Sequence, residues 1–337
     1  MRCSLLGAAA VGLATLAAPA SAHHSPAAYV MTEEVTVEGT IAELDWRNPH
    51  IYIAVETVGA DGAAVVERFE LASIASLQPY GLTREALAVG RAVTVRAHPA
   101  RRAGGRMLAL DLTMEDGAGF RVHPRGRGVI LAATAPAEGI AGQWLPPPAG
   151  FLGFLAAVDA AALTERALAE REDIETLAAS QASCAGYFPP PQLMVASYLQ
   201  SIEVSDTAVV IRFDGVSGER VIAMEGALDA DAEPAQLGRS VARWEGETLV
   251  IESAAFIPHA EGVGRRVPSG PGKRLTERLT LSDDRLQLVY DLTLTDPDYL
   301  DAPLSYSARF DHRPDAVPSG EPCDEATARR FLEEEQP

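Results

Sequence analysis

Apolar and polar residues alternate along most of this chain with the period of a strand. Val35–Asp45 reads Val35-Thr36-Val37-Glu38, breaks at Gly39 and resumes at Ile41, which suits a bent or bulged strand. Residues 51–58 and 65–71 repeat the alternation on either side of the turn Ala60-Asp61-Gly62. Residues 73–87 lose it, and Pro79, Gly81 and Thr83 divide them into one or two short helical turns before strands at 92–98 and 107–114. Three strands, a helix and two strands is the order of a small five-stranded barrel of the OB type.

The pattern changes at residue 125. Gly126, Gly128, Gly142 and Pro146-Pro147-Pro148 mark a linker, residues 151–163 read as a soluble helix, and Leu163, Ala167, Ile174 and Leu177 form a helical stripe opposite Glu165, Arg166, Glu170 and Arg171. After Pro189-Pro190-Pro191, strands return at 199–204, 208–213, 241–244, 248–253, 275–281, 286–294 and 305–310, joined by turns such as Ser205-Asp206-Thr207 and Glu245-Gly246-Glu247. About eight antiparallel strands in a meander can remove their edges by closing into a barrel. The expected fold is therefore mainly β: an OB-like five-stranded barrel, a helix, and an antiparallel β-barrel. The domains read as an OB-like unit at 23–124, a linker with its amphipathic helix at 125–183, a barrel at 184–326 with 140–150 as its first strand, and a tail at 327–337.

The first 22 residues stand apart. Arg2, the apolar run 5–18, Pro19 and the Ala20-x-Ala22 site have the form of a signal peptide cleaved after Ala22, which places the mature protein in the periplasm or outside the cell. Export leaves Cys184 and Cys323 in an oxidising compartment, where they are expected to form a disulfide. No later stretch is long and apolar enough to span a bilayer, so an integral membrane protein is not expected. With 28 Lys plus Arg against 47 Asp plus Glu, the net charge of -19 argues against nucleic acid and anionic membranes as partners. Lys273 is the only lysine, and every other basic residue apart from histidine is arginine.

Cleavage after Ala22 creates the candidate chemistry. The new terminus carries an α-amine, His23 and His24, a compact set of nitrogen donors, and copper(II) heads the divalent affinity order for such ligands. His50, at the end of Trp46-Arg47-Asn48-Pro49-His50, can join them if the arm 25–31 folds back, or it can serve only to bond a loop carbonyl. His98, Met31 and Met107 are further conceivable ligands. Gly142-Gln143-Trp144 resembles the Gly-x-Trp opening of lipocalin-like barrels, and Trp144 and Trp244 are the candidate lining of an apolar cavity in the second barrel.

Three sets of residues carry a family resemblance. They are His23-His24-Ser25, Val35-Thr36-Val37-Glu38-Gly39-Thr40 and Trp46-Arg47-Asn48-Pro49-His50, supported by Pro79-Tyr80-Gly81-Leu82-Thr83 and Gly90-Arg91-Ala92-Val93-Thr94-Val95. Over about residues 23–120 the chain resembles exported bacterial proteins of the domain of unknown function 6152. Residues 140–326 resemble a second uncharacterised extracytoplasmic module through Gly142-Gln143-Trp144, Arg243-Trp244-Glu245-Gly246-Glu247 and Thr295-Asp296-Pro297. Neither resemblance implies an activity.

The zinc-helix, nucleophile-elbow, phosphate-loop and dinucleotide motifs are missing from the sequence. Asp311-His312, His259 near Glu261, and Ser269 are the residues an enzyme reading would use. The favoured function is non-catalytic binding of a small apolar ligand in the second barrel, with copper at the mature terminus. An enzyme acting on an extracytoplasmic small molecule, and an adaptor with an envelope protein partner, are the alternatives.

Overall fold

The computed structural model describes residues 28–48, 50–59, 61–123, 126, 135–171, 192–196, 198–215, 219–316 and 318–320. The expected signal segment, His23, His24, Cys184, Cys323 and the second half of the stripe at 163–177 lie outside the described residues.

Five strands build the first barrel: β1 (Val35–Asp45), β2 (Tyr52–Val58), β3 (Ala64–Glu70), β4 (Ala92–His98) and β5 (Met107–Met114). They pair in the order β3-β2-β1-β4-β5, and a short parallel contact of Phe69 with Met107 and Glu70 with Leu108 closes the ring. Helix α1 (Ile74–Leu77) and a single 3₁₀ turn (Gln78–Tyr80) lie between β3 and β4, which is the OB arrangement read from the sequence. A three-residue strand, β6 (Gly119–Arg121), extends the sheet beside β5. Ile41, Ile53, Val55, Phe69, Val95 and Leu112 fill the core, each stabilising the fold by roughly 1.5–3 kcal/mol. The bulge in β1 falls between Ile41 and Glu43. Gly39 has a different role, since a Cβ there would run into the Glu56 carbonyl of β2.

Nine strands build the second barrel: β7 (Gly142–Leu145), β8 (Gln200–Val204), β9 (Ala208–Phe213), β10 (Glu219–Met224), β11 (Arg239–Glu245), β12 (Thr248–Ala254), β15 (Arg274–Leu281), β16 (Gln287–Thr295) and β17 (Leu304–His312). A hairpin of β13 (His259–Gly264) and β14 (Val267–Ser269) is inserted between β12 and β15. Closure follows the order β10-β11-β12-β15-β16-β17-β7-β8-β9. Neighbouring strands of this ring are antiparallel except β10 and β11, which meet in parallel at Ala223 with Val241 and Met224 with Ala242. The cause is the connection 225–238, which returns to the other end of the barrel before β11 begins.

The two barrel ends are closed differently. Residues 135–141 cross the end that carries the turns at 205–207, 246–247 and 282–286. There Ala137 N donates to Arg285 O (2.8 Å) and Arg285 Nε donates to Ala137 O (2.6 Å). The opposite end is capped by α2 (Pro148–Asp159), α4 (Gln192–Val195) and the β13–β14 hairpin, with α3 (Glu165–Glu170) packed on β14. Helix α2 starts at a proline, where a missing N–H costs nothing, and sets Phe154 and Val158 into the barrel core. Helix α3 is capped by Thr164, whose hydroxyl accepts from Ala167 N (3.1 Å), and matches the first part of the expected amphipathic helix, the rest of which lies outside the described residues. Among the described residues no helix is long and apolar enough to cross a membrane.

Candidate functional site

The Trp46-Arg47-Asn48-Pro49-His50 motif divides its labour. Asn48 is buried and its Oδ1 accepts from Ile74 N (2.9 Å), so it holds the first turn of α1, where Ser73 Oγ also accepts from Ser76 N (3.1 Å). His50 sits on the next loop with Nδ1 2.9 Å from Leu71 O. A carbonyl can only accept, so Nδ1 carries the proton and Nε2 carries the lone pair, the tautomer found in histidines that bind metals through Nε2. Burial pushes the His50 pKa below the usual imidazole value, with the Leu71 bond opposing, and the ring is therefore neutral at pH 7.

A carboxylate joins this histidine to the N-terminal arm. Glu70 Oε1 lies 3.5 Å from His50 Nδ1, and Tyr29 OH donates to Glu70 Oε2 (3.2 Å). The arm is also fixed by backbone bonds, Val30 N to Pro99 O (2.8 Å) and Arg101 N to Ala28 O (3.0 Å). His98, one of the conceivable extra ligands, is buried with Nδ1 2.7 Å from Glu33 O, so it tethers the arm. Met107 packs in the first core. His24 precedes Tyr29 by five positions, a reach of up to about 17 Å for extended chain. Among the described residues there is no group of three or more His, Cys, Asp or Glu that could hold a metal. A site at His50 therefore depends on donors supplied by residues 23 and 24.

The two tryptophans assigned to a cavity lie in different surroundings. Trp144 is fully buried under the crossing segment, donates from Nε1 to Ile140 O (2.7 Å) and packs 4.9 Å from the His312 ring. Trp244 lies at the end of β11, opposite Leu249 in β12, and is 46% exposed. Asp311 and His312 face opposite sides of β17: Asp311 accepts from Gln287 Nε2 (2.8 Å), and His312 Nδ1 lies 2.7 Å from Ala135 O. His259 Nδ1 accepts from Glu261 N (3.1 Å), a local loop bond. Ser269 is buried in β14, so it is part of the cap and not of an open loop.

Inside the capped half of the second barrel lies a charged cluster that the sequence reading missed. Arg220 of β10 and Glu277 of β15 are 2% and 0% exposed. Arg220 Nη1 donates to Glu277 Oε1 (3.0 Å), and Nη2 donates to Glu277 Oε2 and to Ser253 Oγ (2.9 Å). Tyr290 OH donates to Glu277 Oε1 (2.7 Å), and Ser240 Oγ lies 2.8 Å from Ser253 Oγ. Burial first and Glu277 second push the Tyr290 pKa well above its usual value, so it stays a donor. Lys273, just before β15, is also fully buried: Nζ donates to Gly262 O (2.6 Å) and sits 4.6 Å from the centre of the Phe256 ring. Burial lowers its pKa to about 7 against the opposing pull of Asp296 and Glu277. Asp296 is pushed up by burial, although its oxygens accept from Gly270 N (2.7 Å) and Asp298 N (3.1 Å).

One sequence signal for this cluster existed. Leu275, Glu277 and Leu279 share one face of β15, so a carboxylate stands in an apolar stripe.

No curated protein matches the chain. Residues 10–108, which run through β4 and into the first two residues of β5, match the model of a family of unknown function (DUF6152), the family that this stretch of sequence resembles.

Proposed function

We propose that this chain is an exported, non-catalytic binding protein that holds copper(II) at its mature N-terminus, with His50 completing the donor set. The observation that carries the reading is the His50 tautomer, set by the Leu71 carbonyl and leaving the lone pair on Nε2. Two features support it. The ring is neutral at pH 7, so a metal does not have to displace a proton, and Tyr29 ties the arm to the carboxylate beside His50. The α-amine, His23 and His24 would supply the remaining nitrogens, and copper(II) suits an all-nitrogen set better than other divalent ions. Export through a cleaved signal segment is part of the proposal, because the amine becomes a donor only after cleavage.

The test is a copper(II) titration of protein purified from the periplasm, with the terminus confirmed by intact mass. Protein beginning at His23 should bind one copper, an added residue before His23 should weaken binding at least 100-fold, and His50→Gln should weaken it about 10–100-fold. Equal affinity in all three forms would overturn the proposal.

A second reading, a small molecule inside the second barrel, has its own support. Charged groups are costly to bury, and Arg220, Lys273 and Glu277 are all buried within the second barrel and its cap. An apolar body with one polar group suits these surroundings, where the charged side chains are set in a large apolar core.

A further inference from the structure

The chain contains a single lysine among 28 basic side chains, and that lysine is wholly buried. An arginine there would remain charged at any accessible pH, and a methionine would fill the space without a charge. Lysine alone gives a buried amine that can lose its proton and act as a nucleophile. Its surroundings suit that chemistry. The Phe256 ring lies 4.6 Å from Nζ, and Val263, Val267 and Phe154 belong to the same apolar cluster. Glu277 and Asp296 are close enough to act on the amine electrostatically, and Arg220, a second cation, is paired to Glu277. The β13–β14 hairpin covers the amine and is held to it through Gly262 O, while Gln192 Nε2 of α4 holds the adjacent Glu261 O (2.6 Å).

We propose that Lys273 captures apolar aldehydes or ketones as a reversible imine inside the second barrel, entering by displacement of the β13–β14 hairpin. The inference rests on the small-molecule reading of the barrel and is independent of copper. The neutral Nζ attacks the carbonyl carbon with its lone pair, the carbonyl electron pair moves to oxygen, and one Nζ proton passes to that oxygen to give the carbinolamine. The nitrogen lone pair then forms the C=N bond as the C–O bond breaks, and the oxygen leaves as water with the second Nζ proton; the imine in its protonated form has Glu277 and Asp296 as counter-ions. No oxidant or reductant is consumed. Near pH 7 about half of the amine is neutral, so the nucleophile is present under ordinary conditions.

The single lysine makes the test direct, because the terminal α-amine is the only other primary amine to distinguish. Full-length protein is treated with hexanal and sodium cyanoborohydride near pH 7, and the adducts are mapped by peptide mass. The proposal predicts an adduct on Lys273 in folded protein, its absence in Lys273→Met, and labelling that slows about tenfold per pH unit below pH 7. Labelling confined to the α-amine, or Lys273 labelling seen only in urea, would overturn it. Nile red fluorescence with wild type and Lys273→Met separates the two readings. Probe binding without an adduct removes the imine and keeps the barrel as a ligand site, and the absence of both removes both.

Discussion

Replacing Lys273 with methionine should stabilise the protein at neutral pH and remove most of its dependence on pH between 7 and 9.5. The lysine has a folded pKa of about 7 against an ordinary value of 10.5. Between these values the unfolded chain binds the proton and the folded chain does not, so stability rises with pH across the window and is flat below it. The protonation cost reaches about 4 kcal/mol at pH 7, and about 3 kcal/mol of it is recovered by pH 9.5. Methionine forfeits the bond to Gly262 O and the contact of the cation with Phe256, together about 2 kcal/mol, and fills a similar volume. The net gain at pH 7 is then about 2 kcal/mol, turning into a small loss at pH 9.5. Urea unfolding followed by tryptophan fluorescence at both pH values measures this, since Trp144 reports on the barrel core. His259, lowered by burial and by the nearby Lys273, titrates below the window. An equal pH dependence in wild type and variant would show that Lys273 is not buried as a depressed amine.

Four further outcomes are expected. Glu277→Ala leaves Arg220 buried without its partner and should cost about 3–5 kcal/mol by urea unfolding, whereas Arg220→Met with Glu277→Leu should cost far less. Asn48→Ala removes the acceptor for Ile74 N and should cost about 1 kcal/mol, with the change seen in the first barrel by hydrogen exchange. Because the His50 pKa is lowered, its contribution to copper affinity should persist as pH falls through 6.5 and fade only below that, as measured by titration at several pH values. Thiol titration in denaturant should find no free cysteine in exported protein before reduction and both Cys184 and Cys323 after it.

Most strands of both barrels were legible because they alternate with period two between clear turns. Val35–Asp45, with its glycine and bulge, is one case, and Arg274–Leu281 paired through Ser282-Asp283-Asp284-Arg285 to the following strand is another. Elements whose residue types do not follow their burial, or that are very short, were not read. Glu219–Met224 hides its alternation because the buried position is Arg220 and the exposed one beside it is Val221, the hairpin at His259–Ser269 is interrupted by Gly262, Gly264 and Pro268, and Gly119–Arg121 is only three residues long. The parallel seam between β10 and β11 depends on where the connection 225–238 runs, which no local pattern encodes. At the first site, His50 was visible in its motif, but its tautomer depends on Leu71 and its link to the arm on Glu70 and Tyr29, all distant in sequence. In the second barrel, the sole lysine was noted as composition. Its meaning appears only when folding places it beneath the hairpin beside Glu277 and Asp296.

Electron paramagnetic resonance of copper(II) bound to exported protein tests the copper proposal most directly. Wild type with a mature His23 terminus should give nitrogen hyperfine structure that loses one imidazole nitrogen in His50→Gln and collapses when a residue is added before His23. Spectra identical in all three proteins, or those of free aqueous copper, would contradict a site built from the terminus and His50.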